Sequence, residues 1–380
     1  MTRATHGLSA RAAIIVTAAI FGLTYGLSAP LIALDLAAAG LGEAWIGLNA
    51  AMHAVGVLAV APLLPGLSAR IGPRRLALAA LGLAALMLVL FPAAPSVWLW
   101  FPLRLVLGAA SDTLFVVSET WLNGLTEEGS RARTMATYTA ALSLGFALGP
   151  AILAVTGAGT AMPYLLGAAI ALAALGVTAV ARVAAVPIER PQPGTTLRNV
   201  MLLAPVALTA TALNAGLETA GLAFLPLYAI GLGWTESSAA LLISMLMLGA
   251  VLLQLPIGWL GDRMDRHRLV VLLAAISALG AVLWPFVLAL PLIAYPMLFV
   301  WGGVFVGIYT MMITIVGSRF AGGQLVAIYA MMSVAWGVGA LVGPPVGGAA
   351  MHLHDHGLPL AAALACAAFA VFALRRGRSA

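Results

Sequence analysis

The chain has 380 residues, of which 63% are hydrophobic and 8% are charged, and its mean hydropathy is +1.09. Because a water-soluble protein needs about a quarter of its residues charged to cover its surface, this composition excludes an ordinary soluble domain. The net charge of +6 comes from arginines that form no basic stripe with interleaved aromatic residues, so it does not indicate nucleic-acid binding.

Apolar runs recur along the whole chain, each long enough to cross about 30 Å of hydrocarbon as a helix. The runs are continuous rather than alternating, which favours helices over the strands of a barrel. The predicted spans, numbered 1 to 12, are 12–34, 45–65, 76–95, 97–121, 134–157, 161–184, 200–229, 237–260, 269–290, 292–317, 324–350 and 358–374. The predicted fold class is therefore an all-α integral membrane protein with 12 transmembrane helices.

Arginine is confined to one side of this arrangement. Of the 18 arginines, 17 fall on that side, and the exception is Arg104 within span 4. The opposite side carries Asp35, Glu43, Glu236 and Asp355. Since positively charged loops stay in the cytoplasm, we expect both termini to be cytoplasmic and the chain to lie in a bacterial inner membrane.

The two halves of the chain repeat each other. Arg70 follows span 2 and Arg263 follows span 8, 193 residues later, in similar loops. A second pattern, in spans 5 and 11, recurs after 194 residues: Gly145-x-x-x-Gly149-Pro150 and Gly339-x-x-x-Gly343-Pro344. The predicted domains are an N-terminal six-helix bundle (1–184), a cytoplasmic linker (185–199) and a C-terminal six-helix bundle (200–380).

These motifs resemble those of the major facilitator superfamily over essentially the full chain. The family's loop signature, Gly-x-x-x-Asp-Arg-x-Gly-Arg-Arg, is matched after span 8 by Gly258, Asp262, Arg263 and Arg266, with Asp265 in the place of the inner glycine. The copy after span 2 has Ala69 in place of the acid and Pro65 in place of the glycine. Arg104 and Gly108 match the Arg-x-x-x-Gly signature of span 4.

The end of span 4 resembles a narrower group, the YcaD-like bacterial branch. The resemblance rests on Ser118-Glu119-Thr120-Trp121-Leu122-Asn123 followed by Arg131, Arg133 and Tyr138. The superfamily resemblance implies two pseudo-symmetric six-helix bundles with a solute site near the midplane between them. It also implies a transporter and not an enzyme.

The resemblance further implies a cytoplasmic gate, because in this fold the end of span 8 approaches the start of span 5. Asp262 would cap backbone N–H groups there and pair with Arg131 or Arg133, holding the halves together until the pair breaks. The other members of the predicted gate are Glu119, Arg263, Arg266 and Arg70. The alternative is that these charges only keep the loops on the cytoplasmic side of the membrane and have no gating role. The glycines of spans 5 and 11, with Pro150 and Pro344, are predicted packing positions, with a specific antiport role as the alternative.

Span 4 carries charges inside the membrane, where ionisable groups are costly and are functional candidates. Asp112 and Glu119 are seven residues apart and align on one face, and Arg104 lies eight residues before Asp112. We predict that Asp112 takes and releases a proton or cation, and that Arg104 tunes it or binds an anionic substrate. The alternative is a static ion pair between Arg104 and Asp112.

Other polar residues within the spans are candidates for the solute cavity. They are Tyr25, Asn49, His53, Asn214, Glu218, Gln254, Tyr309 and Trp336, and Glu218 also joins the proton-coupling set. A lone histidine such as His53 is more often a satisfied core residue than a proton relay. His352, His354 and His356 in the last external loop alternate in a way that could bind a metal, but we expect none there.

The sequence contains no Gly-x-x-x-x-Gly-Lys-Ser/Thr motif for nucleotide binding, so a gradient must supply the energy. We expect a monomeric, proton-coupled secondary transporter that exports small compounds and uses no cofactor. The alternatives are an uptake symporter or facilitator of a small polar or anionic metabolite, and a lipid-handling protein of the same fold. A membrane sensor is disfavoured because the sequence shows no additional soluble domain.

Overall fold

The computed structural model describes residues 2–124, 128–180, 204–319 and 322–377, and within these ranges the chain is helical, without β-strands. The helices of the first half are α1 (Thr2–Ala38), α2 (Glu43–Val60), α3 (Leu64–Ile71), α4 (Pro73–Ala93), α5 (Trp100–Gly124), α6 (Glu128–Thr156) and α7 (Met162–Val180). Those of the second half are α8 (Pro205–Gly231), α9 (Glu236–Leu252), α10 (Gln254–Gly261), α11 (Arg266–Val287), α12 (Pro291–Arg319), α13 (Gly322–Leu353) and α14 (Gly357–Gly377).

The predicted all-α membrane fold is confirmed. Among the described residues, 11 stretches are long and apolar enough to cross a membrane. The remaining predicted span, 134–157, contains a shorter apolar helix, Ala141–Thr156, at the end of α6. In chain order the spans correspond to α1, α2 with α3, α4, α5, α6, α7, α8, α9 with α10, α11, α12, α13 and α14.

Two spans that were predicted as single helices are interrupted. A 3₁₀ turn, Ala61–Leu63, separates α2 from α3, and Leu253 separates α9 from α10. Pro62 and Pro256 lie beside these interruptions. Because proline lacks an N–H and its ring crowds the carbonyl four residues earlier, a regular helix cannot pass through either point unchanged.

Contacts divide the described residues into two compact units. Residues up to 39 and from 52 to 180 form the first, and residues 40–51 together with those from 204 onward form the second. The first half of α2 therefore belongs to the second unit, where Gly47 lies against the backbone of Pro344 in α13. The predicted linker, 185–199, lies outside the described residues.

Helices of the first unit meet backbone to backbone at glycine. Gly56 of α2 lies against the backbone of Leu105, and Gly108 of α5 lies against the backbone of His53. A Cβ atom at either glycine would collide with a carbonyl oxygen of the neighbouring helix. Small residues are what allow helices in lipid to approach this closely.

The second unit repeats these contacts between its own helices. They are Gly249 with Phe299, Gly302 with Leu246, and Gly339 with Ala212, where the last corresponds to Gly145 with Ala19 in the first unit. Each residue lies 193 or 194 positions after its counterpart. The internal repeat therefore extends from the two sequence motifs to the helix packing within each unit.

Substitution of Gly302 by alanine tests this packing. A Cβ at Gly302 would meet the Leu246 carbonyl, which is backbone and cannot move aside without shifting α9. We expect Gly302→Ala to lower the free energy of unfolding by about 1–3 kcal/mol, measured as a lower melting temperature in detergent. The matched control is Gly176→Ala, because a Cβ there meets nothing within 4 Å. Equal melting temperatures for the two variants would contradict the contact.

Candidate functional site

Arg104 is a buried cation in the first unit. Its side chain is 2% exposed, and its Nη1 donates a hydrogen bond to Oγ of Ser28, a fully buried residue of α1, at 3.2 Å. Its Nε has no hydrogen-bond partner among the described residues. Gly108 lies one turn further along α5, where that helix touches α2, so the close approach of α5 to α2 helps to fix where Arg104 is buried.

Asp112 is the partly buried carboxylate of the same helix. Its Oδ2 is inaccessible and accepts no hydrogen bond from the described residues. Eight residues of helix separate it from Arg104 by about 12 Å along the axis. Of the ion pairs between described residues, none joins Arg104 to Asp112. The described structure therefore does not contain the alternative of a static Arg104–Asp112 pair, and neither side chain forms an ion pair with another described residue.

Tyr25 and His53 lie together in the first unit, with ring centroids 4.5 Å apart. Tyr25 is also stacked on Phe21 and meets Phe146 edge-on. His53 is 4% exposed, and its Nδ1 lacks a hydrogen-bond partner among the described residues. His53 is therefore not a core histidine with both ring nitrogens hydrogen-bonded to described residues. Asn49, also buried in α2, likewise has an unpartnered Nδ2.

The end of α5 is tied to α6 through hydroxyl groups. Ser118 Oγ and Tyr138 OH are 3.1 Å apart, and the tyrosine also donates to the Phe115 carbonyl at 3.4 Å. Ser118 and Tyr138 both belong to the sequence that resembles the YcaD-like branch. Ser118 lies in its first part and Tyr138 in its second, so this hydrogen bond joins the two parts. Glu119 is half-buried beside them. The side chains of Arg131 and Arg133 lie outside the described residues, and so does the predicted pairing with them.

The loop after α10 is held by contacts of its own. Arg266 Nη2 donates to Asp262 Oδ1 at 3.4 Å, and the Arg263 guanidinium lies 3.6 Å above the centre of the Trp259 ring. Asp265, which departs from the family's glycine, accepts a hydrogen bond from the Arg268 N–H at 2.8 Å and caps α11. In the other copy of the loop, Arg70 is exposed.

Glu218 faces a cavity in the second unit, between α8, α9, α11 and α12. Asn214, one turn earlier, donates from Nδ2 to Glu218 Oε2 at 3.3 Å. Sequence reasoning missed three aromatic residues of the cavity wall, Trp284, Trp301 and Phe305. They lie in apolar spans without a polar neighbour to mark them, and only the four-residue spacing of Trp301 and Phe305 signals a shared helix face.

The remaining cavity candidates are dispersed within the second unit. Gln254 is already satisfied, since its Oε1 accepts from the Thr310 hydroxyl at 2.6 Å and its Nε2 donates to the Ala250 carbonyl at 2.7 Å. Tyr309 and Trp336 are half-buried on α12 and α13. The structure therefore favours Glu218 with Asn214 over these three as the polar centre of the unit.

The histidines near the last loop have separate partners. His352 Nδ1 lies 3.8 Å from Glu43 Oε2, while His356 Nδ1 lies 3.0 Å from the Tyr228 hydroxyl. His354 Nδ1 accepts from the His356 backbone N–H at 2.9 Å. Within the described part of the chain, no three histidine, cysteine or acidic side chains are placed to hold one metal ion.

Apolar helices long enough to cross a membrane, with the buried Arg104 and the half-buried Asp112 and Glu218 among them, define a multi-pass membrane protein of the transporter type. The chain belongs to the Major Facilitator Superfamily, whose pattern it matches over residues 14–344 and 206–379. It is 27% identical over 271 residues to the uncharacterized MFS-type transporter YfkF of Bacillus subtilis (strain 168), covering 70% of this chain and 69% of that protein.

Solved structures of other transporters share the fold. A crystal structure of a mutant of the nucleoside transporter NupG matches with a TM-score of 0.77 at 14% identity, over 97% of this chain and 99% of that chain. The D-xylose-proton symporter matches with a TM-score of 0.74 at 15% identity, over 96% and 97%. The family and these relatives are transporters and not enzymes.

Replacing Arg104 by leucine separates a functional role from a structural one. The corresponding position of the repeat, 194 residues later, is Leu298, which is fully buried. A buried cation without an ion pair costs free energy, so we expect Arg104→Leu to keep or raise the melting temperature. We expect the same variant to lose binding of the transported solute. A melting temperature several degrees below that of the wild type would instead make Arg104 a structural residue.

Proposed function

We propose that this chain is a proton-coupled secondary transporter that exports a small organic solute across a bacterial inner membrane by alternating access. The observation that carries the proposal is Asp112, a carboxylate within a membrane-spanning helix whose Oδ2 has no hydrogen-bond partner, and whose side chain forms no ion pair, among the described residues. Such a group is costly to keep charged, so uptake and release of a proton is the chemistry open to it. We propose that both termini are cytoplasmic.

Proton uptake at Asp112 must favour one conformation over the other to drive transport. A ligand or proton shifts an equilibrium only by the difference between its affinities for the two states. Arg104, held by Ser28 in the same unit, is a fixed cation. A solute that binds at Arg104 with different affinity in the two conformations would bias the same equilibrium as proton uptake at Asp112, which links solute to proton. Glu218 is the acidic group of the second unit in this proposal, although it lies at a different position of the repeat from Asp112.

Export is the proposed direction, supported by the complete Gly-x-x-x-Gly-Pro pattern at Gly339, Gly343 and Pro344, which resembles that of antiporters.

One observation favours a second function, the uptake or facilitated passage of an anionic metabolite. Arg104 is buried and pairs with no carboxylate of the described residues, so a substrate carboxylate or phosphate would satisfy it. Lipid handling remains the third candidate. We also propose that the chain belongs to the YcaD-like bacterial branch, because of the resemblance at Ser118–Asn123.

Asp112→Asn tests the proton site. Purified protein is screened for thermal stabilisation by a panel of metabolites and drugs at an acidic and a neutral pH. If the binding of one proton competes with the binding of one ligand, the apparent affinity of the wild-type protein for that ligand changes by about tenfold per pH unit. We expect Asp112→Asn to abolish this dependence and to leave the melting temperature near that of the wild type.

The matched control for this screen is Asp355→Asn, which removes a carboxylate from the exposed last loop. It should keep the pH dependence of the wild type. The proton assignment is wrong if Asp112→Asn and Asp355→Asn behave alike. Stabilisation by phospholipids, and not by soluble compounds, would favour lipid handling.

We also propose that Asp262 closes the cytoplasmic side in one state by exchanging its partner Arg266 for Arg131 or Arg133, with Glu119, Arg263 and Arg70 completing the gate. Loss of the carboxylate should then favour the state open to the cytoplasm. The reporter is Ser333→Cys, an exposed position of α13, in a Cys366→Ala background. We expect Asp262→Asn to speed the modification of this cysteine by an impermeant maleimide in inside-out vesicles by about two- to fivefold. This is the change in population expected when an exposed ion pair is lost.

Asp265→Asn is the control for the gate, because it removes the same charge three residues away while asparagine remains a good helix cap. It should leave the modification rate unchanged. Equal rates for Asp262→Asn, Asp265→Asn and the parent would remove Asp262 from the gate.

A further inference from the structure

A side-chain hydrogen bond ties the beginning of α11 to the end of α14 in the second unit. His267 Nε2 lies 2.9 Å from the carbonyl oxygen of Ala373, and because a carbonyl oxygen can only accept, the ring nitrogen is the donor. The two helices also pack along each other. The first turn of α11 is therefore held beside the last residues of α14.

Exposed arginines from both helices surround this hydrogen bond. Arg268 follows His267 on α11, and Arg375 and Arg376 lie in the last turn of α14, two and three residues after Ala373. The three arginine side chains are exposed, and none of them forms an ion pair with another described residue. The fold thus gathers cations from two distant parts of the sequence at one end of a helix pair.

The carboxylates that lie nearest to these arginines in sequence are already engaged. Asp262 accepts a hydrogen bond from Arg266 Nη2 at 3.4 Å, and Asp265 accepts one from the backbone N–H of Arg268 at 2.8 Å. The guanidinium groups of the arginine cluster are therefore left to bind an anion from outside the chain.

Apolar side chains continue outward-facing surfaces of both helices away from the arginines. Leu272 and Leu279 are exposed on one face of α11, and Val371 and Leu374 are exposed on α14. Both helices are apolar and long enough to cross a membrane, so these side chains face lipid. From Arg268 to Leu279 the helix runs about 17 Å, which is the depth of about one leaflet of the bilayer.

The first unit contains the same tie between its helices, but an arginine makes it. Arg74 Nη2, at the start of α4, donates to the carbonyl oxygen of Ala179 near the end of α7. His267 and Ala373 lie 193 and 194 residues after these two positions. The tie therefore belongs to the repeated scaffold. In the second unit a histidine makes it, so the arginines beside it remain available.

We propose that the surface formed by Arg268, Arg375 and Arg376, with the exposed apolar residues of α11 and α14 beside them, binds an anionic phospholipid. Guanidinium groups match the oxygen geometry of a phosphate, and the acyl chains lie along the two helices. A zwitterionic lipid also has a phosphate, but the arginines repel its ammonium group. A soluble phosphate lacks the chains that the apolar surface accommodates.

This inference goes beyond the proposed function, because the lipid stays on the outer surface of the second unit and is not the transported solute. Stabilisation by an anionic lipid that disappears when Arg375 and Arg376 are replaced belongs to this surface and not to lipid handling. Asp112→Asn should bind the lipid as the wild type does, so failure of the proton site and failure of this surface are distinguishable.

Phosphatidylglycerol is the probe, and phosphatidylcholine with the same acyl chains is its zwitterionic counterpart. Each is titrated into the purified full chain in detergent, and bound lipids are counted by native mass spectrometry. We expect phosphatidylglycerol to bind at least about tenfold more tightly than phosphatidylcholine. Because one arginine at a membrane surface changes the affinity by about fivefold, Arg268→Gln should weaken phosphatidylglycerol by about fivefold, and Arg375→Gln with Arg376→Gln by at least about tenfold.

Arg70→Gln is the matched control, because it removes an exposed arginine from the first unit. It should bind phosphatidylglycerol within about twofold of the wild type. Arg375→Lys with Arg376→Lys keeps the charge and should bind within about threefold, which separates recognition of the phosphate from a structural role. The proposal is overturned if phosphatidylcholine binds equally well, if an equal concentration of glycerol 3-phosphate displaces phosphatidylglycerol, or if Arg375→Gln with Arg376→Gln binds like the Arg70→Gln control.

Discussion

Contact between helix backbones at glycine determines where the buried polar groups of this protein lie. In lipid there is no hydrophobic force between helices, so close packing and hydrogen bonds must hold them together. Gly108 brings α5 against the backbone of α2 at His53, and Arg104 is buried one turn away with Ser28 as its partner. A larger residue at Gly108 would separate the helices and expose the cation to lipid.

The same packing occurs in both units, but it presents different chemistry in each. Arg104 of α5 corresponds to Leu298 of α12, 194 residues later, and Tyr25 of α1 corresponds to Glu218 of α8, 193 residues later. Within the described part of the chain, the first unit therefore carries a cation without an ion pair, near a tyrosine and a histidine. The second carries an acid without an ion pair there, in a cavity wall that includes tryptophans. A repeated scaffold with unlike charges suits a transporter, because the packing can stay constant while each unit binds a different group.

The sequence predicted the fold well because lipid imposes simple rules. Long apolar runs and one-sided arginine were enough to find the spans, and the Gly-Pro patterns were enough to find the repeat. The breaks at Ala61–Leu63 and Leu253 were missed, since hydropathy does not register how proline disrupts a helix. Span ends also differ, as α1 already begins at Thr2.

The candidate site was predictable only in part. Charged residues such as Asp112 and Glu218 stand out in apolar helices, so the sequence identified them individually. It left open whether Arg104 pairs with Asp112, because that depends on distances along and between helices. The aromatic wall of Trp284, Trp301 and Phe305 was not predicted, since residues from α11 and α12 converge on Glu218 only in the folded chain. The loop residue Asp265 looked like a departure from the family pattern, and the structure shows it as a helix cap.

The most direct test of proton-coupled transport is to record luminal pH in proteoliposomes loaded with a pH-sensitive dye, after external addition of a ligand that stabilises the purified protein. Proton-coupled export predicts a rise in luminal pH, because an antiporter exchanges the entering ligand for internal protons, and no rise with Asp112→Asn. Entry of the ligand without any change in luminal pH would identify a facilitator and would rule out proton coupling.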